Sequence, residues 1–201
     1  MENRYGDNPK KYFTRDEYYR MAECGVLRGG YELIEGEIWK KIPQNPPHTL
    51  TLKRLAKRLI ELFGYDFLRL QSSILADERG MESEPEPDIV VTTHPDAAYE
   101  TQHPGANDLQ LVVEISASTQ RQDLSEKAIL YAWCGIVEYW VIDLDRRRAV
   151  VHRSPSGDGY KSIEIAEETG SLTCLARPND NILLSEIFLL KHKGKPIKRA
   201  G

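Results

Sequence analysis

Two acidic residues occupy positions where a carboxylate is unusual, because each lies against an apolar, β-branched segment. Asp88 opens the run "DIVVT", and Glu114 lies inside "LVVEIS". Side chains alternate between the two faces of a strand, so Glu114 shares a face with Val112 and Ser116. A buried carboxylate without a partner is costly or takes up a proton. The two segments therefore predict that both carboxylates have partners in the folded protein.

A divalent cation is one partner that would satisfy both carboxylates. If the two strands are neighbours, charges about 4 Å apart repel by on the order of 4 kcal/mol at an effective dielectric of about 20. Hard oxygen ligands suit Mg²⁺ or Mn²⁺, and Mg²⁺ commonly takes one or two carboxylates and completes its shell with water and phosphate oxygens. Asp88 and Glu114 on adjacent strands are therefore candidate metal ligands. The alternatives are a turn or strand-capping carboxylate for Asp88 and a buried ion pair with a lysine or arginine for Glu114.

A lysine in the next predicted helix could reach the same place. Asp123, Lys127 and Tyr131 are four residues apart and share one helix face. A helix that follows a strand packs back on the sheet, so Lys127 is expected near the strand that holds Glu114. Its ammonium would position a water or stabilise charge on a phosphate, which with a metal suits phosphodiester hydrolysis. The simpler alternative for Lys127 is a salt bridge to Asp123.

Local sequence signals predict the elements that must position these residues. Helices are predicted over 14–25, 48–63 and 122–135, with a short one near 185. Strands are predicted over 67–71, 88–92, 109–116, 138–144, 147–153 and 160–166, and a hairpin over 31–42. This pattern predicts an α/β (α+β) fold, a mixed β-sheet flanked by helices with an N-terminal hairpin. We expect an N-terminal extension over 1–11, one domain over 12–190 and a basic C-terminal tail over 191–201.

The composition is ordinary, and the net charge of −4 over 201 residues shows no basic surplus. Binding to nucleic acid would therefore depend on local basic clusters, for which solvated surface charge is the alternative. The candidates are Lys53, Arg54, Lys57, Arg58, the run 146–148 and the C-terminal lysines. Three scattered cysteines, no apolar leader and no apolar run of about 18 residues predict a cytoplasmic protein without a membrane segment.

The ordered segments "PEPDIVV", "LVVEISAST" and "DLSEKAILYAWCGIVEYWVID" resemble the Uma family of endonuclease-like proteins, part of the PD-(D/E)XK restriction-endonuclease-like superfamily. "YELIEGEIW" and His48 resemble the N-terminal hairpin and helix of that family, and "LRLQSS" resembles its next segment. The resemblance implies the same sheet flanked by helices. It also implies that Asp88 and Glu114 bind Mg²⁺ or Mn²⁺ together with the backbone carbonyl of Ile115.

The chain departs from the superfamily pattern at Ser116. A lysine is expected two residues after the glutamate, and serine stands there instead. The family resembles cases in which this lysine has moved to the next helix. That resemblance implies Lys127 as the third catalytic residue, beside Asp88 and Glu114.

The main hypothesis is a metal-dependent endonuclease that acts on DNA. A homodimer is expected by analogy, because cutting both strands usually needs two sites. The first alternative, motivated by Ser116, is an inactive fold relative that binds nucleic acid or a protein. The second is a metal-dependent nuclease on RNA or nucleotides.

Five other polar side chains have less specific expectations. His48 is expected to be a surface residue at a helix start, with a general base as the alternative. Tyr131 is expected to be a packing residue, with a hydroxyl contact to a substrate phosphate as the alternative. Glu35 and Glu37 are expected to be solvated hairpin residues, although either could add a carboxylate to the metal. Gln71 is interpreted either as the end of a strand or as a residue behind the site.

Overall fold

The computed structural model describes residues 10–77, 80–116 and 121–188, with the backbone alone over 121–124. Of the predicted N-terminal extension, only Lys10 and Lys11 lie in this range, and the predicted basic tail lies outside it. The elements in chain order are α1 (Arg15–Glu23), β1 (Tyr31–Ile34), β2 (Glu37–Lys40), α2 (Pro46–Phe63), β3 (Leu68–Leu70), β4 (Ile89–Thr92), β5 (Leu109–Ser116), α3 (Arg121–Trp133), β6 (Glu138–Asp143), β7 (Arg148–Ser156), β8 (Gly159–Glu167), β9 (Ser171–Cys174), β10 (Arg177–Leu183) and α4 (Leu184–Ile187).

Six strands form the main sheet, in the order β3-β4-β5-β6-β7-β8. β5 and β6 are parallel because α3 crosses over between them, and the other neighbouring pairs are antiparallel. The predicted mixed sheet is therefore confirmed. Among the described residues, no helix is both long enough and apolar enough to cross a membrane.

The alternation of β5 separates two cores, one on each face of the sheet. Val113 and Ile115 pack into the core that includes α2 residues such as Leu55. Val112 packs into the other core, with Leu130 of α3. Because Glu114 shares the face of Val112, it lies on the α3 side of the sheet.

The predicted N-terminal hairpin is present and is held against the segment that precedes β4. β1 pairs with β2 across the turn at Glu35 and Gly36, and the Glu84 N–H donates to the Leu33 carbonyl at 2.7 Å. Gly36 has φ of +72°, and a Cβ there would lie 2.8 Å from the Cβ of Tyr12. The turn therefore requires glycine on both conformational and steric grounds.

The hairpin formed by β9 and β10 was not expected from the sequence. It is joined to the main sheet by Glu138, a fully buried carboxylate at the start of β6. Glu138 accepts hydrogen bonds from the Leu175 N–H at 2.7 Å and from Arg153 Nη2 at 2.7 Å. Leu172 and Ile182 of the hairpin then complete the core on the α2 side.

Candidate metal and catalytic site

The register of β4 and β5 brings Asp88 opposite Glu114. Val90 pairs with Val112, and the same register two residues further along sets Asp88 against Glu114. Directly opposed residues in antiparallel strands have Cβ atoms about 4.5–5.5 Å apart on the same face. Both side chains are buried. The two predicted metal ligands therefore lie side by side where β4 begins.

Pro87 changes the hydrogen bonding of Ile115 at this point. The register sets Pro87 opposite Ile115, and proline has no N–H to donate across the strands. The Ile115 N–H donates to Asp88 Oδ2 at 2.8 Å. The N–H and C=O of one residue in an antiparallel ladder point to the same neighbour. The Ile115 carbonyl therefore points to the strand segment that contains Pro87, and Pro87 has no N–H to donate to it.

His48 is the second residue that holds Asp88. Its Nε2 lies 3.0 Å from Asp88 Oδ2, and Gln44 Nε2 lies 3.5 Å from Oδ1. Asn45 caps α2 by accepting from the His48 N–H at 3.0 Å, which fixes the first turn of the helix beside Asp88. The expectation of a surface histidine was wrong, because His48 is buried against this carboxylate. Helix position alone could not indicate that contact.

Lys127 reaches the buried end of the site from α3. Its Nζ lies 2.8 Å from Glu114 Oε1 and 2.9 Å from Glu32 Oε2. The predicted proximity of Lys127 to Glu114 is therefore present. The side chain of Asp123 lies outside the described residues.

Glu32 of β1 is a third carboxylate, and the sequence interpretation missed it. It is 6% exposed, and its Oε1 also accepts from the Glu86 N–H at 3.0 Å. The available signal was the same as for Glu114, an acidic residue inside an apolar β-strand, "YELI". Glu35 lies at the hairpin turn with φ of +47°, and Glu37 pairs with Lys10 at 3.4 Å near the surface.

The buried charges shift each other's pKa values. Burial raises the pKa of Glu114 to about 7, Lys127 opposes that rise, and the charges of Asp88 and Glu32 add to it. Burial alone would lower the pKa of Lys127, but Glu114 and Glu32 outweigh burial and raise it. Lys127 is therefore a cation at neutral pH.

Tyr131 contacts the same glutamate. Its hydroxyl donates to Glu114 Oε1 at 3.3 Å, and burial followed by the charge of Glu114 raises its pKa well above the ordinary value. Tyr131 is a neutral hydrogen-bond donor that is also fully buried, so it packs as expected and helps to orient Glu114.

Ser116 and Gln71 lie at the margins of the site. Ser116 lines a separate cavity of about 450 Å³ with Ser125 of α3 and Asp143 of β6, and its carbonyl accepts from the Leu144 N–H. The Gln71 N–H donates to the Asp88 carbonyl at 3.1 Å, and Gln71 itself is exposed.

The predicted basic clusters are partly neutralised within the chain. Arg54 donates to the Phe188 carbonyl at 2.9 Å, and Arg58 pairs with Glu61 and Glu186. Arg146 pairs with Asp143 at 3.2 Å. The carboxylates beside Arg58 and Arg146 therefore reduce the net positive charge of these clusters.

The oxygen donors suit a hard divalent cation. Asp88 and Glu114 supply two carboxylates, and the resemblance to the superfamily adds the Ile115 carbonyl as a third oxygen. Among the described residues, no group of three or more His, Cys, Asp or Glu is arranged as a ready metal site. Mg²⁺ commonly takes one or two carboxylates and completes its shell with water and substrate oxygens, so two carboxylates and a carbonyl are compatible with it.

Comparison with known families identifies the relatives of this arrangement. Residues 15–182 match the model of the Uma2 family, described as "Putative restriction endonuclease". The chain belongs to this family. The match includes Glu32, His48, Asp88, Glu114 and Lys127. No curated protein matches the chain.

A solved structure supports the fold assignment for this Uma2 family member. It is a protein from Anabaena variabilis, described as a putative nuclease belonging to DUF820, with a TM-score of 0.65 and 16% sequence identity. The similarity covers 86% of this chain and 96% of that one. At this identity the match shows a shared fold.

Proposed function

We propose that this protein is a Mg²⁺- or Mn²⁺-dependent endonuclease that hydrolyses phosphodiester bonds in DNA. The observation that supports it most is the contact of Lys127 with Glu114, 2.8 Å long, beside the opposed carboxylate of Asp88. Membership of a family described as "Putative restriction endonuclease" supports the same class of reaction.

Asp88, Glu114 and the Ile115 carbonyl are the residues that would hold the metal. When bound, the metal supplies Lewis acidity and positive charge to the phosphate. His48 and the Ile115 N–H fix the orientation of Asp88 through contacts of 3.0 and 2.8 Å. A carboxylate held in this way loses little conformational freedom when it binds a ligand.

Lys127 would contribute the positive charge that the superfamily places two residues after the glutamate. Its ammonium can donate to a phosphate oxygen and to the attacking water, and it stabilises negative charge that develops during hydrolysis. Glu32 contacts Lys127 Nζ at 2.9 Å. That contact anchors the ammonium when Glu114 is engaged elsewhere.

Nicking of supercoiled plasmid in Mg²⁺ or Mn²⁺ tests the proposal. We expect the wild type to nick, EDTA to abolish nicking, and Glu114→Gln to reduce the rate at least about 100-fold. Glu37→Gln is the matched control, because Glu37 lies on the exposed side of the hairpin and pairs only weakly with Lys10. Equal rates for the wild type and Glu114→Gln would contradict the assignment.

An inactive, nucleic-acid-binding or protein-binding relative is the alternative that Ser116 favours. It predicts no metal-dependent nicking of DNA and retained binding of a partner. Repeating the assay with RNA of matched length tests the other alternative, a nuclease that prefers RNA or nucleotides.

A further inference from the structure

β8 forms one edge of the main sheet and exposes large apolar side chains. The strand order ends at β8, whose nine residues include no proline. Ile163 and Ile165 are 59% and 54% exposed. Natural proteins usually protect such an edge, because its unpaired backbone groups are a template for another strand.

The hydrogen-bond pattern identifies which residues of β8 face outward. The Leu144 N–H donates to the Ser116 carbonyl of β5, so the neighbouring residue, Asp143, directs its backbone groups to β7. Asp143 pairs with Arg148, so Arg148 directs its backbone groups to β6 and the next residue, Ala149, directs its groups to β8. Ala149 pairs with Ala166, so the even-numbered residues of β8 form the hydrogen bonds with β7. Odd-numbered residues of β8 therefore direct their N–H and C=O groups away from β7, to the edge that pairs with no other strand among the described residues.

Four of the outward residues, Lys161, Ile163, Ile165 and Glu167, form a self-complementary row. Their side chains share one face of the sheet, because they alternate with the residues between them. An antiparallel pairing of two copies that sets Ile163 against the partner's Ile165 also sets Lys161 against the partner's Glu167. Two-fold symmetry repeats each pair, which gives two apolar pairs and two opposite-charge pairs.

We propose that two copies of this chain associate through β8, antiparallel across a two-fold axis, in this register. The pairing satisfies the open backbone groups and covers both isoleucines. Lys161 and Glu167 are exposed and available to form the cross-strand pairs. The dimer would join the two main sheets into one continuous sheet, and it does not depend on the proposed nuclease activity.

Glu164 provides a separate test of the register. In the proposed pairing it meets the partner's Glu164 on the opposite face, at the two-fold axis. Its own Arg153 lies 3.9 Å away and offsets part of the repulsion. In the neighbouring antiparallel register, the two-fold axis passes through Ile163. Ile163 then pairs with the partner's Ile163, and Glu164 pairs with the partner's Ser162. Only the proposed register predicts that Glu164→Gln tightens the dimer.

Sedimentation equilibrium of the full chain tests the proposal through charge reversal. Lys161→Glu and Glu167→Lys are each expected to weaken association about tenfold or more, because two attractive cross-strand pairs become repulsive. The double variant is expected to regain the wild-type dimer. An equimolar mixture of the two single variants is also expected to associate, because each copy then meets an opposite charge. Circular dichroism establishes that each variant is folded.

The proposal is overturned if the wild type stays monomeric up to about 100-fold above the concentrations used for the nicking assay. A covered β8 edge would produce that result. A dimer that is indifferent to both single reversals would overturn it as well. Association of the mixture without association of either single variant would support it most strongly. These outcomes do not depend on whether the protein cuts DNA.

Discussion

Replacing Lys127 by methionine removes the ammonium and keeps a side chain of similar length. Lys127 Nζ contacts Glu114 at 2.8 Å and Glu32 at 2.9 Å, and all three residues are buried. Removing one partner of a buried ion pair costs about 3–5 kcal/mol, because the remaining charge is uncompensated. Each kcal/mol lowers Tm by about 2–4 °C for a chain of this size, so we expect Tm in EDTA to fall by about 6–20 °C.

A divalent cation is expected to reverse part of that loss. A ligand that binds only the folded state stabilises it by about 2.7 kcal/mol at 100 times its Kd. In the wild type, the ammonium already compensates Glu114 and Glu32. The Lys127→Met variant is therefore expected to gain more in Tm from Mn²⁺ than the wild type gains.

Calorimetry or dye-based melting at pH 7.5, in EDTA and in Mn²⁺, measures both effects. Lys57→Met is the matched control, because the side chain of Lys57 is 76% exposed and its Nζ lies 3.8 Å from Glu61. A surface substitution of this kind changes stability by no more than about 0.5 kcal/mol. A Tm for Lys127→Met within about 2 °C of the wild type would refute the reasoning.

Three further predictions concern the rest of the fold. Glu138→Ala is expected to cost about 3–5 kcal/mol in urea unfolding, because Arg153 would lose the buried carboxylate to which it donates at 2.7 and 2.8 Å. A loss under about 1 kcal/mol would be inconsistent with that role. Burial lowers the pKa of His152. As the pH drops below about 6.5, the unfolded chain therefore takes up a proton before the folded protein does, and the free energy of unfolding falls. The urea midpoints at pH 7.5 and 5.5 should differ less for His152→Gln than for the wild type. Burial raises the pKa of Cys174 to about 12. Iodoacetamide at pH 8 should therefore alkylate Cys174 far more slowly than the exposed Cys24, as followed by peptide mass spectrometry. Equal rates would show that Cys174 is accessible.

Much of the candidate site could be predicted from local pattern. The alternation of "LVVEIS" sets the face of Glu114, and the spacing of α3 directs Lys127 toward the preceding strand. Both inferences depend only on the side-chain periods of a strand and a helix. The backbone fixes these periods, so they do not depend on how the elements pack together. The pairing of β4 with β5 then brings Asp88 into place.

The residues that were missed depend on long-range packing. Glu32 belongs to a hairpin outside the main sheet, and it reaches Lys127 only because Leu33 pairs with the segment around Glu84. His48 contacts Asp88, which lies forty residues away along the chain, so its burial depends on long-range packing. In the β9–β10 hairpin, β9 has only four residues, and the pairing shifts register between Arg177 and Ile182, so the alternation of apolar and polar residues is weak.

The central claim is that Asp88 and Glu114 form one metal site. Titration with Mn²⁺, followed by the electron paramagnetic resonance signal of the free ion, tests that claim directly and without an activity assay. We expect equal binding by the wild type and the Glu37→Gln control, and binding weakened at least about tenfold in Asp88→Asn and in Glu114→Gln. If Asp88→Asn binds Mn²⁺ as tightly as the wild type does, Asp88 is not a ligand of the metal, and the proposed site is contradicted.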